Sequence, residues 1–129
     1  MPTTGILLSD DLLFTSRIMG TARALGLEMH VVRSALALEE MARQRGPACV
    51  IVDLHLAGSE LPALVTKLRQ GPDCTVVGYG SHVAADVLQA ARAAGCDVVL
   101  PRSRFAETLS AEMPRWFGAE SAKPPSDDQ

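Results

Sequence analysis

Residues 50–58 read VIVDLHLAG, an apolar run that ends in a carboxylate, Asp53, followed two positions later by His55. A continuous apolar run is typical of a strand covered on both faces, so residues 48–54 are predicted to form the central strand of a sheet. A desolvated carboxylate is costly unless it is paired or bound to a cation. Asp53 is therefore predicted to lie either at the edge of the core or in a binding site.

The segments on both sides of this strand alternate between the two kinds of secondary structure. Further strands are predicted at residues 5–8, 27–33, 74–79 and 98–100. Helices are predicted from Asp11 to Leu25, after Ser34 as far as Gly46, after Ser59, from His82 to Ala94, and from Ser103 onward, with Pro114 bending or ending the last one. Such alternation favours an α/β fold with a parallel sheet and helices on both of its faces.

The length of the chain fits one folded domain. Of its 129 residues, 1–118 are assigned to that domain. The polar, proline-rich sequence AESAKPPSDDQ at 119–129 is predicted to be a disordered tail. No DNA-binding or enzymatic output domain fits beside the first one, so the protein is expected to act through contact with other proteins.

Composition argues against several classes of function. The net charge is −3, with dispersed basic residues, so binding to nucleic acid is not expected. Three widely spaced cysteines indicate neither a disulfide framework nor a zinc site. No apolar run approaches the ~20 residues of a membrane span, and no basic region precedes the first apolar stretch, so no membrane partner is expected. We expect a cytoplasmic protein.

Polar residues follow four of the predicted strands at their carboxyl ends. Asp10 and Asp11 follow the first strand, Asp53 ends the third, Ser81 follows the fourth and Arg102 the fifth. In an open parallel sheet these ends meet at one crevice, so three carboxylates are expected to surround a cation there. Oxygen ligands without thiolates suit Mg²⁺. A metal ion beside Asp53 would allow that carboxylate to attack a phosphoryl group, with a hydroxyl and a fixed cation holding the phosphoryl oxygens.

Three stretches carry a resemblance to a known family. ILLSDDLLFTSRI, CVIVDLHLAG and ARAAGCDVVLPRSRF, at their mutual spacing, resemble the receiver domain of two-component response regulators over residues 5–117. The resemblance implies a doubly wound, flavodoxin-like fold with five helices and strand order 2-1-3-4-5. It implies a signalling role in phosphorelay rather than enzymatic turnover, at most with self-catalysed phosphorylation and dephosphorylation.

The resemblance also assigns roles to individual residues. Asp53 stands at the phospho-acceptor position, and Asp10 and Asp11 stand at the acidic metal-binding pair. His55 would supply a backbone carbonyl to Mg²⁺. The phosphoryl donor would be a sensor histidine kinase or a phosphotransfer protein, and the output a downstream protein partner.

Four positions depart from the family pattern. Arg102 stands where the family has its lysine, and Ser103 stands at the following proline position. Gly80 occupies the switch threonine or serine position, which leaves Ser81 one residue late for contact with phosphate. Val99 occupies the aromatic switch position. The usual coupling of a hydroxyl to an aromatic ring is therefore missing, and a planar guanidinium replaces a compact ammonium.

Other interpretations of Asp53 remain open. It could cap the turn into the next helix, with Ser81 likewise capping the fourth helix. The chain could be a pseudo-receiver, a protein-interaction module that works without phosphorylation. The motif D-x-H-x-x-G also resembles that of cobalamin-binding domains, although in that family it follows the first strand.

A homodimer is a further hypothesis. Related receivers pair through the face made by the fourth helix, the fifth strand and the fifth helix. Trp116 and Phe117 lie near the end of that last helix and are predicted to anchor the contact.

Overall fold

The computed structural model describes residues 4–118, which form one parallel sheet with helices on both faces. The strands are β1 Thr4–Leu8, β2 Glu28–Val32, β3 Cys49–Asp53, β4 Thr75–Gly80 and β5 Val98–Pro101. Their order is β2-β1-β3-β4-β5, and all four pairings are parallel. The predicted fold class is confirmed, and the apolar run 50–52 lies in the central strand.

Five long helices occupy the predicted segments, and one short helix is added to them. The helices are α1 Leu12–Ala24, α2 Ala35–Arg45, α3 Leu54–Ala57, α4 Leu61–Arg69, α5 Ala85–Ala94 and α6 Arg102–Trp116. A 3₁₀ turn, Gly58–Glu60, joins the single turn of α3 to α4. The chain therefore becomes helical immediately after Asp53.

The two faces of the sheet have separate cores. One face packs against α1 and α6, and its buried residues include Ile18, Tyr79, Phe105 and Met113. The other face packs against α2, α4 and α5, whose buried residues include Leu38, Leu64 and Leu88. Since β3 is covered on both sides, all five of its residues, Asp53 included, are buried. This explains the unbroken apolar run in the sequence.

Some predicted helix boundaries are confirmed by their capping contacts. Ser34 caps α2, because its side chain accepts a hydrogen bond from the amide of Ala37. Gly46 ends that helix in the left-handed conformation, with φ of 57°. The carboxylate of Asp11 caps α1 by accepting from the amide of Phe14 at 3.1 Å. These polar side chains satisfy amides that the first helical turn leaves without partners.

Two predicted caps are wrong. Ser59 does not cap α4, because the chain is already helical from Leu54 and Ser59 lies within the 3₁₀ turn. Ser81 does not cap α5, which begins at Ala85 rather than at position 82 and has no side-chain cap. The Ser81 hydroxyl instead accepts from the amide of Val83, at 3.3 Å, in the preceding loop.

The end of α6 also differs from expectation. The helix continues to Trp116, so Pro114 does not end it. Trp116 and Phe117 are 5% and 4% exposed and lie in the core, where Trp116 stacks on Phe105. The prediction that both residues anchor a dimer is wrong, because their side chains are buried within the domain, in the core that α1 and α6 form with the sheet.

Two further predictions concern the C-terminal tail and membrane-spanning segments. The predicted disordered tail, residues 119–129, lies outside the described residues. Across residues 4–118, every helix is too short or too polar to cross a membrane.

Candidate functional site

The site lies at the edge where the parallel strands end, here called the carboxyl edge. Strand register brings its residues together: Asp53 at the end of β3 pairs with Tyr79 of β4, and Gly80 pairs with Pro101 of β5. Arg102 follows directly as the first residue of α6. The pairing of Leu8 of β1 with Val52 of β3 brings the end of β1 to the same place. Topology therefore gathers residues from four separate stretches of the chain at one edge, as the sequence predicted.

Asp53 is a buried carboxylate with one oxygen already used. It is 4% exposed, and its Oδ1 accepts hydrogen bonds from the amides of His55 at 3.0 Å and Leu56 at 3.4 Å. These amides begin α3, so Asp53 caps that helix as the simplest interpretation expected. Within residues 4–118 its second oxygen, Oδ2, accepts no hydrogen bond. The cap therefore leaves one carboxylate oxygen available for chemistry.

Ser9 organises the loop that carries the acidic pair. Its hydroxyl oxygen accepts from the amide of Asp11 at 3.2 Å and from the Thr15 hydroxyl at 3.0 Å. Apart from Tyr79, which belongs to the aromatic core, the buried polar or charged residues among the described positions are Ser9 and Asp53. Burial of polar side chains is costly, so their presence at this one edge marks it as more than a packing surface.

Tyr79 adds a buried hydroxyl to this edge. Its side chain is fully buried, and no atom of residues 4–118 offers Oη a hydrogen bond of accepted geometry. Burial raises the pKa of Tyr79 to about 12. The neighbouring Ser9 hydroxyl and Arg102 lower this pKa, whereas Asp53 and Asp11 raise it. One uncompensated buried hydroxyl therefore lies within electrostatic reach of both carboxylates and the guanidinium.

Arg102 lies on aromatic rings rather than on the carboxylates. Its guanidinium carbon is 5.5 Å from the centroid of the Phe14 ring and 5.9 Å from that of Tyr79. None of the ion pairs found among residues 4–118 includes it. The residue is exposed, and the contacts found for its guanidinium are these two cation–π contacts. Arg102 therefore lies at the carboxyl edge beside Tyr79, on which its charge acts.

The three acidic residues do not form a ready-made cluster of ligands. Across the part of the chain that the structure describes, no three Asp, Glu, His or Cys side chains stand close enough together to hold a metal ion. Asp10 is exposed to solvent, whereas Asp11 and Asp53 both act on the same Tyr79 hydroxyl. Mg²⁺ takes one or two protein carboxylates and completes its shell with water, so the Asp53 oxygen without a partner, at the same edge as Asp11, is of the ligand type that the ion takes.

The departures from the family pattern are visible in the structure. Gly80 has room for a side chain: a Cβ added there would lie 3.5 Å from Leu88 and 3.6 Å from Leu54, which is ordinary contact. Val99 is 9% exposed and belongs to the core. Ser81 is exposed, one residue beyond the end of β4. Thus neither switch position carries a hydroxyl or an aromatic ring.

A cavity of about 440 Å³ opens beside this edge. It is lined by His55, Ser81, His82, Arg102, Ser103 and Ala106. His55 and Ser81 come from the ends of two neighbouring strands, and Arg102 and Ser103 come from the first turn of α6. His55 thus lines a cavity, although the sequence analysis assigned a role only to its backbone carbonyl.

Sequence reasoning missed Ser9, Tyr79 and Phe14 as parts of the site. Ser9 could have been found, because it precedes the acidic pair directly after a buried strand. Tyr79 is the single tyrosine of the chain and stands between two glycines at the end of a predicted strand. No signal in the sequence indicated that Phe14 would support Arg102, because that contact joins two helices far apart in the chain.

The comparisons with known proteins agree with this architecture. No protein-family model and no curated protein matches the sequence. Among solved structures, a response regulator from Thermotoga maritima matches with a TM-score of 0.77 and 15% identity, over 92% of this chain and 99% of that chain. The receiver domain of NtrX from Brucella abortus matches with a TM-score of 0.74 and 21% identity, over 88% of this chain and 98% of that chain.

A third similar structure contains two proteins. It is the co-crystal of the Saccharomyces cerevisiae histidine phosphotransfer signaling protein Ypd1 and the receiver domain of its downstream response regulator Ssk1. The TM-score is 0.79 and the identity 14%, over 98% of this chain and 95% of that chain. At such identities the likeness establishes the fold, which is that of receiver domains.

Proposed function

We propose that this chain is a receiver in phosphorelay signal transduction, with Asp53 as the phospho-acceptor. The observation that carries the proposal is a buried carboxylate at the end of the central strand, with one oxygen fixed by two amides and the other without a partner. A purely structural cap needs only the first oxygen. Asp11, Tyr79 and Arg102 around it provide the charge and hydroxyl that phosphoryl transfer requires.

The transfer uses the geometry of Asp53 directly. Its Oδ2 attacks phosphorus, and an oxygen–phosphorus bond forms as the bond from phosphorus to the imidazole nitrogen of the donor phosphohistidine breaks. The nitrogen keeps the electron pair and then takes a proton from solvent. The two amides on Oδ1 hold the carboxylate in one orientation, so that little entropy is lost when the donor approaches.

Mg²⁺ would be held by Asp11 and Asp53, with Asp10 and the backbone carbonyl of His55 beside them. When bound, it offsets the negative charge of the carboxylate and of the phosphoryl oxygens. Ser9 keeps Asp11 in place for this role, because its hydroxyl fixes the Asp11 amide.

Arg102 and Ser81 would contact the phosphoryl group. A cation–π contact at an exposed site is worth about 0.5–1 kcal/mol, whereas a hydrogen bond to a charged group is worth about 1.5–3 kcal/mol. The phosphoryl group therefore competes successfully for the guanidinium, which would leave the rings of Phe14 and Tyr79. This movement takes the place of the hydroxyl–aromatic coupling that Gly80 and Val99 lack.

Phosphorylation can be measured on the whole chain. Incubation with Mg²⁺ and phosphoramidate is expected to add the mass of one phosphoryl group, detected by intact-protein mass spectrometry. Asp53→Asn is expected to abolish the adduct while keeping the cap, because an amide oxygen still accepts from His55. Asp97→Asn, at the opposite edge of the sheet, is the matched control and is expected to keep it. An adduct that persists in Asp53→Asn, or its absence in wild type with Mg²⁺, contradicts the proposal.

A second candidate function is supported by the position of Arg102. Its guanidinium lies on two aromatic rings and makes no ion pair with Asp53 in the described residues. Asp53 already serves as a helix cap. Both facts suit a pseudo-receiver that binds its partner without phosphorylation. If the chain has this function, phosphoramidate forms no phosphoryl adduct with it. The same proteins are then expected to co-purify with wild type and with Asp53→Ala.

The partners follow from the proposed chemistry. A cytoplasmic histidine kinase or phosphotransfer protein would supply the phosphoryl group, and the pairing of a phosphotransfer protein with a receiver in the Ypd1–Ssk1 co-crystal supports this. A downstream protein would receive the output. A homodimer through α5, β5 and α6 would use exposed residues such as Val87 on α5, since Trp116 and Phe117 are buried. A mass that stays monomeric in sedimentation as concentration rises would exclude the dimer.

A further inference from the structure

We propose that a cleft between the C-terminal ends of α2 and α4, here called the α2–α4 cleft, binds a small neutral ligand built on an aromatic ring. The cleft has a volume of about 390 Å³ and lies where β3 and β4 begin, whereas Asp53 lies where β3 ends. Neither Asp53 nor Arg102 lines it. The proposal therefore goes beyond the proposed function and can be tested separately from it.

Much of the lining of the α2–α4 cleft is apolar. The apolar part comes from both helices and from the loops that follow them, and consists of Ala42, Pro47, Leu68, Pro72 and Cys74. Pro47 and Leu68 are buried, and Cys74 is half-buried. Burial raises the pKa of the Cys74 thiol, which therefore stays protonated at neutral pH and acts as a small apolar group. Occupation of the cleft removes this apolar surface from water, which favours a ligand with an apolar body.

The charged side chains that line the cleft are already paired among residues 4–118. Glu39 of α2 and Lys67 of α4 form an ion pair at 3.6 Å. Arg43 pairs with Glu40 at 3.0 Å. A charged ligand would have to displace one of these partners, because the lining offers no unpaired charge to offset the desolvation of the ligand. The charge pattern therefore favours a neutral ligand.

The same side chains favour an aromatic ring over an aliphatic one. The side chains of Arg43 and Lys67 are 67% and 60% exposed, so each cation can lie against the face of a ring and keep its carboxylate partner. Pro47 and Pro72 supply two pyrrolidine rings, which pack well against aromatic rings in peptide recognition. The negative face of an aromatic ring thus complements both the cations and the prolines of the cleft.

The cleft is preformed, because the two loops that close it are tied together. The amide of Thr75 donates to the carbonyl of Ala48 at 2.9 Å, which joins the loop after α2 to the loop after α4. Arg69 donates to the carbonyl of Cys74 at 2.8 Å. A ligand therefore binds without first ordering these loops, which lowers the cost of binding. The volume of about 390 Å³ falls within the range of about 300–1,000 Å³ that is typical of small-molecule sites.

Binding can be tested by nuclear magnetic resonance on the full chain labelled with ¹⁵N, with benzyl alcohol as the probe. Benzyl alcohol is expected to shift the amide signals of residues 42–43, 70–71 and 74 and to reach saturation. Ala42→Leu adds three carbons to the lining without disfavouring the helix, and is expected to weaken binding about tenfold or more. Ala63→Leu is the matched control: it makes the same change on α4 at an exposed position outside the lining, and is expected to bind as wild type does.

Three further probes test the chemical class of the ligand. Cyclohexylmethanol is similar in size to benzyl alcohol but has no aromatic ring, and is expected to bind about two- to fivefold more weakly. Benzoate and benzylamine are expected to bind more weakly than benzyl alcohol, because each brings a charge that finds no free partner. Tighter binding by either charged probe, or equal binding by cyclohexylmethanol, overturns the proposed ligand class.

Two more variants complete the test. The double variant Arg43→Gln and Lys67→Gln changes only exposed positions, so it is expected to fold, and to bind benzyl alcohol about two- to fivefold more weakly. Asp53→Asn is expected to bind the probe as wild type does, although it can form no phosphoryl adduct. Shifts that stay linear with probe concentration overturn the inference, as does undiminished binding by Ala42→Leu and by the double variant. Loss of binding in Asp53→Asn would overturn the separation of the cleft from the phosphorylation site.

Discussion

Two arginines, one at each edge of the same sheet, have opposite environments. Arg69 lies at the edge where strands begin, here called the amino edge and made of Arg69, Cys74, Gly95 and Asp97. Its guanidinium donates to the carbonyls of Cys74 and Gly95 and to the Asp97 carboxylate, each at 2.8 Å. Arg102, at the carboxyl edge, contacts only the faces of two rings among the described residues. One arginine is committed to structure, and the other is available to a ligand.

The acidic residues at the two edges repeat this difference. Asp97 Oδ2 accepts from Arg69 and from the amide of Val76, both at 2.8 Å, and so ties α4 and the start of β4 to the start of β5. Asp53 Oδ2 accepts nothing within residues 4–118. Asp97 is exposed and ion-paired with Arg69, whereas Asp53 is buried and belongs to none of the ion pairs found among the described residues. A buried carboxylate without a charged partner is costly, which is why it marks the site.

The cysteines belong with the structural edge. Cys49, Cys74 and Cys96 lie at or just before the starts of β3, β4 and β5. Burial raises the pKa of Cys49 and of Cys74, and it raises the pKa of Cys96 to about 11. The thiols therefore stay protonated at neutral pH and pack as small apolar groups.

The largest expected effect is the difference in stability between replacing Arg69 and replacing Arg102. Arg69→Met removes three hydrogen bonds of a charged donor and is expected to lower the free energy of unfolding by about 3 kcal/mol. Arg102→Met removes only cation–π contacts and is expected to cost about 1 kcal/mol or less. Urea unfolding followed by the fluorescence of the single tryptophan, Trp116, measures both. Equal losses would show that the two edges do not differ in this way.

The orphaned hydroxyl at the carboxyl edge gives a pH dependence. Because the pKa of Tyr79 is raised to about 12 from an ordinary 10, the unfolded chain releases this proton first. The stability that the neutral phenol contributes is complete below pH 10 and is lost as pH rises towards 12, by about 2 kcal/mol. Denaturant unfolding at intervals across this range measures the loss. In Tyr79→Phe, which has no phenol to ionise, the loss of stability between pH 10 and 12 is expected to be smaller by this amount. A pH profile identical to that of wild type would show that Tyr79 does not cause the loss.

Two glycines of β4 sharpen the comparison between the interior and the carboxyl edge. A Cβ on Gly78 would stand 2.7 Å from the Leu54 side chain, which is 2% exposed and has little space to move. Gly78→Ala is therefore expected to cost about 1–2 kcal/mol. Gly80→Ala, with 3.5 Å to its nearest neighbour, is expected to change stability by about 0.5 kcal/mol or less. Thermal unfolding of the two variants, measured side by side, tests this difference. A larger loss of stability for Gly80→Ala than for Gly78→Ala would contradict the packing argument.

The smallest expected effect is at Asp53. Asp53→Asn keeps an oxygen for the amides of His55 and Leu56 and removes a nearly buried charge, so stability is expected to stay within about 0.5 kcal/mol of wild type. Urea unfolding tests this. A loss above about 2 kcal/mol would mean that the second carboxylate oxygen has a structural partner, and Asp53 would then belong with Asp97 rather than with a site.

The sequence by itself determined the fold class, the position of nearly every element and the edge of the sheet that carries the acidic residues. Apolar periodicity, caps such as Ser34 and glycines such as Gly46 are local signals, and in a parallel sheet with alternating helices they leave few topologies. The ends of the predicted strands placed Asp53, Asp10 and Asp11 at that edge, and the family resemblance then implied a role for each. The predicted helix start at Ser59 is wrong, because the chain is already helical from Leu54 and its short turns continue directly into α4.

Only the tertiary structure decided how the site is arranged within that edge. It buried Trp116 and Phe117, placed Arg102 on Phe14 and Tyr79, and left the Tyr79 hydroxyl and one Asp53 oxygen without partners. Such contacts join residues far apart in the chain, and their geometry depends on how the two core layers pack. A sequence pattern fixes which residues reach one edge of a sheet, but side-chain direction and hydrogen-bond completion are set by packing in three dimensions.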